Sequence, residues 1–99
     1  MPAVALLNSI PRDAIGAEVV LRIIGSREPP ANMVVQIAIN GTANVQIQGR
    51  ITREAPWQNI GPMHSTNALV HLKAVQFLRA LANNVQDGTK VSAWADWAW

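Results

Sequence analysis

Apolar and polar residues alternate with a period of two over much of this chain. Val35, Ile37 and Ile39 alternate with Val34, Gln36 and Ala38. Ala43, Val45 and Ile47 alternate with Asn44, Gln46 and Gln48. Such alternation of β-branched residues predicts strands with one face in a core. Asn40-Gly41 separates the two runs, and Asn-Gly is the strongest short hairpin signal because both residues tolerate positive φ. A strict two-residue loop would set Ile37 against Asn44 and Val35 against Gln46. Pairing Ile39 with Ala43, Ile37 with Val45 and Val35 with Ile47 keeps one face apolar. The pattern therefore predicts a hairpin with a three-residue loop or a bulge around Asn40 to Thr42.

The remaining elements follow in order. Residues 1–8 are small and apolar, an edge strand or an arm lying on a neighbouring subunit. Residues 9–16 read as a loop punctuated by Pro11 and Gly16. Residues 17–24 predict a strand with Val19, Leu21 and Ile23 on its more apolar face. Residues 25–32, with Pro29-Pro30, form a loop where pairing stops. Gly49 predicts a bulge late in the second hairpin strand, and the charges of residues 50–54 point outward. Residues 57–60 form a short strand after Pro56, and Gly61-Pro62 a turn.

Residues 68–85 fit two descriptions. As a helix, Lys73, Gln76, Arg79, Asn83 and Asn84 share one side and Ala74, Val75, Leu78, Leu81, Ala82 and Val85 the other, and Ala, Leu, Lys and Arg are good helix formers. As strands, one ends at Leu72 and another runs over 75–82, with a bend near Lys73-Ala74. Asp87-Gly88 centres a turn. Residues 90–97 make the last strand, with Val91, Ala93, Ala95, Trp97 and Trp99 on one face and Ser92, Trp94 and Asp96 on the other. Several short strands between Gly, Pro and Asn turns predict a single antiparallel β-sandwich over residues 1–99, with 1–16 as an N-terminal arm and loop.

Composition sharpens this. Ninety-nine residues make one domain, 49% of them hydrophobic and 14% charged, where about 25% charged is usual. A surface with so few charges is expected to be covered in part by copies of the chain or by a partner. Four tryptophans and no tyrosine agree, since tryptophan is enriched at interfaces. There is no cysteine, hence no disulfide framework and no cysteine metal site. No signal-peptide pattern is expected at the N-terminus, and no apolar run approaches the ~18 residues of a membrane helix. A net charge of +2 without a basic stripe gives no reason to expect nucleic acid as a partner.

Chemistry-bearing residues are sparse. His64 and His71 have no cluster of acids around them of the kind a zinc site needs. Ser65 beside His64 lacks the G-x-S-x-G elbow and an orienting acid. The six carboxylates are scattered, and no phosphate-cradling glycine motif is present. No catalytic residue, metal ligand or cofactor is therefore expected. Trp57 reads as a core-edge residue and Arg79 as an arginine whose stem packs along the sheet and whose head pairs with an acid or with backbone carbonyls. The tail is more informative. One small core cannot easily bury Trp94 on one face of a strand and Trp97 and Trp99 on the other, so at least one is expected to touch a partner. A tryptophan flap over the chain's own sandwich end is the plainer alternative, and a sugar-stacking platform a third.

From Gly16 to Trp97 the order of features resembles a family of small bacteriophage virion proteins, the roughly hundred-residue β-sandwiches that decorate or cement capsids or form the base of head fibres. The residues that carry the resemblance are the Ile15-Gly16 loop, "VQIAINGTANVQIQGRIT", Trp57 after a short gap, "FLRA" at residues 77–80, and the closing N-x-x-D-G-T-K-V-S-A-W. The resemblance favours strand over helix within 68–85 and implies a jelly-roll-like sandwich. It implies a structural protein of the virion exterior, assembled in the host cytoplasm, that stabilises the capsid surface. Its partners would be its own copies, as a homotrimer, and the major capsid protein, with no membrane or nucleic-acid partner and no enzymatic activity. Leu6, Leu7, Trp94, Trp97 and Trp99 are the expected interface residues. The alternative is a head-fibre or tail-associated module that recognises host-surface glycans.

Overall fold

The computed structural model describes residues 4–20, 32–73 and 75–98, without the side chains of Trp97 and Ala98. It is an antiparallel β-sandwich. The strands are β1 (Val4–Ile10), β2 (Ala14–Ile15), β3 (Val19–Val20), β4 (Asn32–Asn40), β5 (Asn44–Arg50), β6 (Gln58–Asn59), β7 (Ala68–Lys73), β8 (Phe77–Asn83) and β9 (Lys90–Ala98). Sheet A has the order β1-β9-β4-β7. Sheet B has the order β2-β8-β5-β6, with β3 also on β8. Strands β2 and β3 follow one another along the same edge of β8, through Ala14↔Ala82, Ile15↔Leu81, Val19↔Leu78 and Val20↔Phe77. They act as one edge strand interrupted at residues 16–18. The pairs β1/β9, β2–β3/β8, β4/β7 and β5/β6 are then successive rungs of one long two-stranded ribbon, whose tip is residues 51–57. Folding the ribbon so that alternate rungs fall in opposite sheets gives a jelly roll.

This topology corrects the hairpin. Strands β4 and β5 do not pair. β4 lies between β9 and β7, and β5 between β8 and β6. Asn40 ends β4 and Gly41 to Ala43 cross from one sheet to the other. The parity nonetheless holds. Met33, Val35 and Ile37 of β4 and Val45 and Ile47 of β5 are all buried, facing the core from opposite sheets. The crossing is locked to the neighbouring one between β8 and β9. The Thr42 N–H donates to Thr89 Oγ1 at 2.9 Å, and the Gln86 N–H donates to the Thr42 carbonyl at 3.0 Å.

Residues 68–83 are two strands, with no helix among the described residues. The reason lies in the partners, not in local propensity. Along β8, Leu78, Ala80 and Ala82 point into the core, and along β9, Val91, Ala93 and Ala95 do so. β4 and β5, their central neighbours, bring the bulky Met33, Val35, Ile37, Val45 and Ile47. Small Ala80, Ala82, Ala93 and Ala95 on β8 and β9 thus sit beside larger residues of β4 and β5, the alternation of sizes that lets two sheets interdigitate. Alanines that favour a helix in isolation are here the small half of that packing.

Three further expectations change. Residues 9–10 end β1 and residues 14–15 form β2, so half of the 9–16 stretch is strand. Gly49 sits in regular register with Leu78 and Gln58 and forms no bulge; a β-carbon there would run into the side chains of Ile60 and Val75. Of the two readings of the N-terminal stretch, the structure from Val4 onward takes the edge strand, paired with β9. Its register advances from Ala5↔Trp94 to Leu7↔Ala93, two residues against one. Leu6 is the extra residue of that bulge, and the bulge turns two consecutive side chains inward. Leu6 and Leu7 are 3% and 2% exposed. They are spent in the chain's own core and present no surface to a partner, which corrects their assignment as interface residues. Of the strand expected over 17–24, Val19–Val20 is β3 and residues 21–24 lie outside the described residues, as does the bend residue Ala74.

Candidate functional site

The sandwich leaves two outer faces, and each carries a cluster. On sheet A the outward residues of β4, β9 and β7 fall into rows: Gln36 lies between Trp94 and Leu69, and Val34 between Asp96 and His71. Leu69 is 64% exposed and Trp94 is half-buried. Val34, Gln36, Leu69, Trp94 and Asp96 line a shallow groove of about 320 Å³. Trp94 is thus placed on the outer face, as its parity implies. The Trp97 backbone pairs with Met33, its side chain is not among those described, and Trp99 lies outside the described residues. The structure therefore groups Trp94 with Leu69, a residue the sequence did not single out, rather than with Leu6 and Leu7.

On sheet B the register Gln48↔Arg79 and Arg50↔Phe77 sets two arginines diagonally on adjacent strands. The indole of Trp57, arriving from the ribbon tip, meets both. The guanidinium carbon of Arg50 is 4.4 Å from its ring centroid and that of Arg79 is 4.3 Å away. Arg50 and Arg53 also lie over Phe77, at 5.5 and 5.4 Å, which explains why an outward-facing Phe77 is only 6% exposed. Arg50 is ion-paired with Glu18 at 2.5 Å and donates to the Arg53 carbonyl at 3.0 Å. Its charge is turned along the surface and not out into water. Arg79 donates through Nε to Gln48 Oε1 at 2.9 Å, an amide in place of the expected acid or backbone carbonyl. Within the tip, the Thr52 hydroxyl donates to Glu54. That bond, then one from Glu54's own backbone, holds the Glu54 carboxyl below its ordinary range, with Arg50 and Arg53 adding to the effect.

Trp57 is therefore the clasp that closes the tip onto sheet B. A cation–π contact contributes about 0.5–1 kcal/mol at exposed sites and more when shielded. Trp57→Ala removes two of them together with the buried ring surface. We expect a loss of about 2 kcal/mol, read from the urea midpoint at unchanged slope. An unchanged midpoint would mean that the ring holds nothing.

Beside the clasp, the same face carries a larger groove of about 510 Å³. Its polar walls include Gln46, Gln48, Asn59 and Asn83, and its apolar walls Ile15 and Leu81. Gln46 is only 8% exposed, and its Nε2 donates to the carbonyls of Ile47 at 3.1 Å and Gly61 at 3.2 Å. Gln48 Nε2 donates to Asn59 Oδ1 at 2.9 Å. Glutamines on a strand gave no signal in the sequence, because their meeting with Asn59 and Asn83 depends on a register that only the fold sets. His64 is remote in role: its backbone bridges Val45 on the side of β5 away from β8, at 2.7 and 2.8 Å. His71 is exposed on sheet A. Compared with family models, with curated proteins and with solved structures, the chain matches none.

Proposed function

We propose that this chain is a structural protein of a bacteriophage virion that binds the outer capsid surface and reinforces it. The reading is carried by the outer face of sheet A, where Leu69 stands 64% exposed beside Trp94 and Val34 in a shallow groove. Leu69, held out to solvent, and Trp94 flank Gln36 on this face, and exposed apolar groups of this kind in a chain with so few charges suit an interface. A β-sandwich is the fold this reading expects, and the function is argued from the surface and not from the fold. In this reading copies of the chain meet through sheet A as a closed trimer and dock on the shell protein. They bind the assembled lattice and not the loose subunit, so they stabilise it by mass action. Weak contacts repeated over the lattice add through multivalency.

Solution mass tests this. By light scattering on a sizing column the protein should have about three times the mass of the 10.7 kDa chain, as a closed cyclic assembly requires. Leu69→Asp should yield folded monomers, because Leu69 is not part of the core cluster, with the melting temperature lowered only by the loss of assembly. The variant should also fail to co-sediment with capsids. A wild-type monomer that ignores capsids, or a Leu69→Asp variant that still assembles and binds them, would overturn the proposal.

A further inference from the structure

We infer that the groove on the outer face of sheet B is a binding site for a neutral saccharide. Its polar side chains are held by hydrogen bonds that set the direction of the groups left over. Gln46 commits its amide nitrogen to the carbonyls of Ile47 and Gly61, which fixes the side chain on the groove floor. Among the described residues its Oε1 accepts no hydrogen bond, and it is an acceptor of set direction. Asn59 has its oxygen occupied by Gln48 Nε2, which leaves its nitrogen as a donor. Asn83 has its oxygen occupied by the Asn84 N–H at 2.9 Å, which leaves its nitrogen likewise. Gln48 is held from both ends, by Arg79 Nε and by Asn59, and retains one N–H. The groove thus offers one oriented acceptor and three oriented donors, each positioned by a bond made elsewhere. A carboxamide with one end tied down loses little freedom when it binds, which is what a weak polar ligand needs.

The walls specify the chemistry. Ile15, 60% exposed, and Leu81 sit side by side across β2 and β8 and present aliphatic surface, on which the C–H face of a sugar ring can lie while its hydroxyls reach the amides. The volume, about 510 Å³, falls within the roughly 300–1,000 Å³ of small-molecule sites and suits a short oligosaccharide. Charge selects against acidic sugars. The one charged lining residue is Asp13, whose Oδ1 already accepts the Val85 N–H at 2.9 Å. The nearby arginines are turned away, Arg50 to Glu18 and Arg79 to Gln48 and Trp57. Trp57 is occupied by those guanidiniums, so the site works through amides and aliphatic surface without an aromatic platform. It lies on the opposite face of the sandwich from Leu69 and Trp94, and it does not depend on the docking of sheet A.

Titration of the ¹⁵N-labelled protein with maltose, lactose and chitobiose, followed by NMR, tests the site through the side-chain amide signals of Gln48, Asn59 and Asn83. The expected result is a saturable shift of these signals with at least one of the three neutral disaccharides, and weaker binding of digalacturonate. The double variant Asn59→Ala/Asn83→Ala changes two exposed residues outside the core. It should remain folded, with the melting temperature lowered by no more than a few degrees for two lost exposed hydrogen bonds, and weaken binding by about tenfold or more. Absence of any saturable shift, equal binding by the double variant, tighter binding of digalacturonate, or shifts confined to Trp94 and Leu69 would each overturn the inference.

Discussion

Gly41→Ala is expected to destabilise the protein by about 2–5 kcal/mol. Gly41 has φ +128°, a conformation that residues with a β-carbon rarely adopt. A β-carbon there would also lie 2.9 Å from Thr89 Cβ and 3.0 Å from Thr89 Cα. The second contact is with backbone, so no rotamer change relieves it. Thr89 cannot retreat either, because it is 2% exposed and its hydroxyl accepts the Thr42 N–H. Strain and collision act together on the point where the two sheet crossings join. Since a small domain holds only about 5–15 kcal/mol in all, the melting temperature should fall by roughly 10 °C or more. Asn40→Ala is the comparison that separates a sheet crossing from a two-residue type I′ hairpin. Asn40 is not among the residues with positive φ; it is exposed, ends β4 and pairs with Lys90. Its replacement should change stability by less than about 0.5 kcal/mol. In a type I′ hairpin both central residues need positive φ, and Asn40→Ala would be costly too. A neutral Gly41→Ala would contradict the crossing geometry.

This corner shows what the sequence could and could not convey. Alternation of Val35 and Ile37 with Gln36, and of Val45 and Ile47 with Gln46, marked the buried face correctly, because successive side chains point to opposite faces of a strand whatever its neighbours. It could not say which strand lies alongside. Asn-Gly permits positive φ, and a sheet-to-sheet crossing uses that freedom as readily as a hairpin does. The Ala-rich run at 68–82 was ambiguous for a similar reason: propensity is local, whereas the demand for small residues opposite Ile37 and Ile47 is tertiary. Of the surface clusters, the placement of Trp94 was legible from parity in β9. The Arg50–Trp57–Arg79 clasp and the amide groove were not, since they assemble residues from β5, β6, β8 and the ribbon tip through a register no local pattern encodes.

Leu7 offers the second large effect and decides between two roles for the N-terminal strand. As an interface residue it would be dispensable to the isolated chain and essential to assembly. Its position in the fold demands the reverse. Leu7 is 2% exposed in the core cluster with Val35, Val45 and Leu78, and it reaches that position only because the bulge at Leu6 shifts the register on β9. A second irregularity follows, where Ser9 takes φ 51° and its N–H donates to Ser92 Oγ at 2.9 Å, pinning the edge strand beyond the bulge. The room for Leu7 also depends on Gly16, where a β-carbon would come within 3.2 Å of Leu7 Cδ2. Leu7→Ala should therefore leave a cavity that the paired backbone on either side cannot close, and cost about 2–5 kcal/mol. The folded fraction should retain the wild-type solution mass. Asn8→Ala, at the exposed neighbouring position, should be near neutral and controls for disturbance of the strand itself. A Leu7→Ala variant with wild-type stability and altered solution mass would return this strand to the interface and remove it from the core.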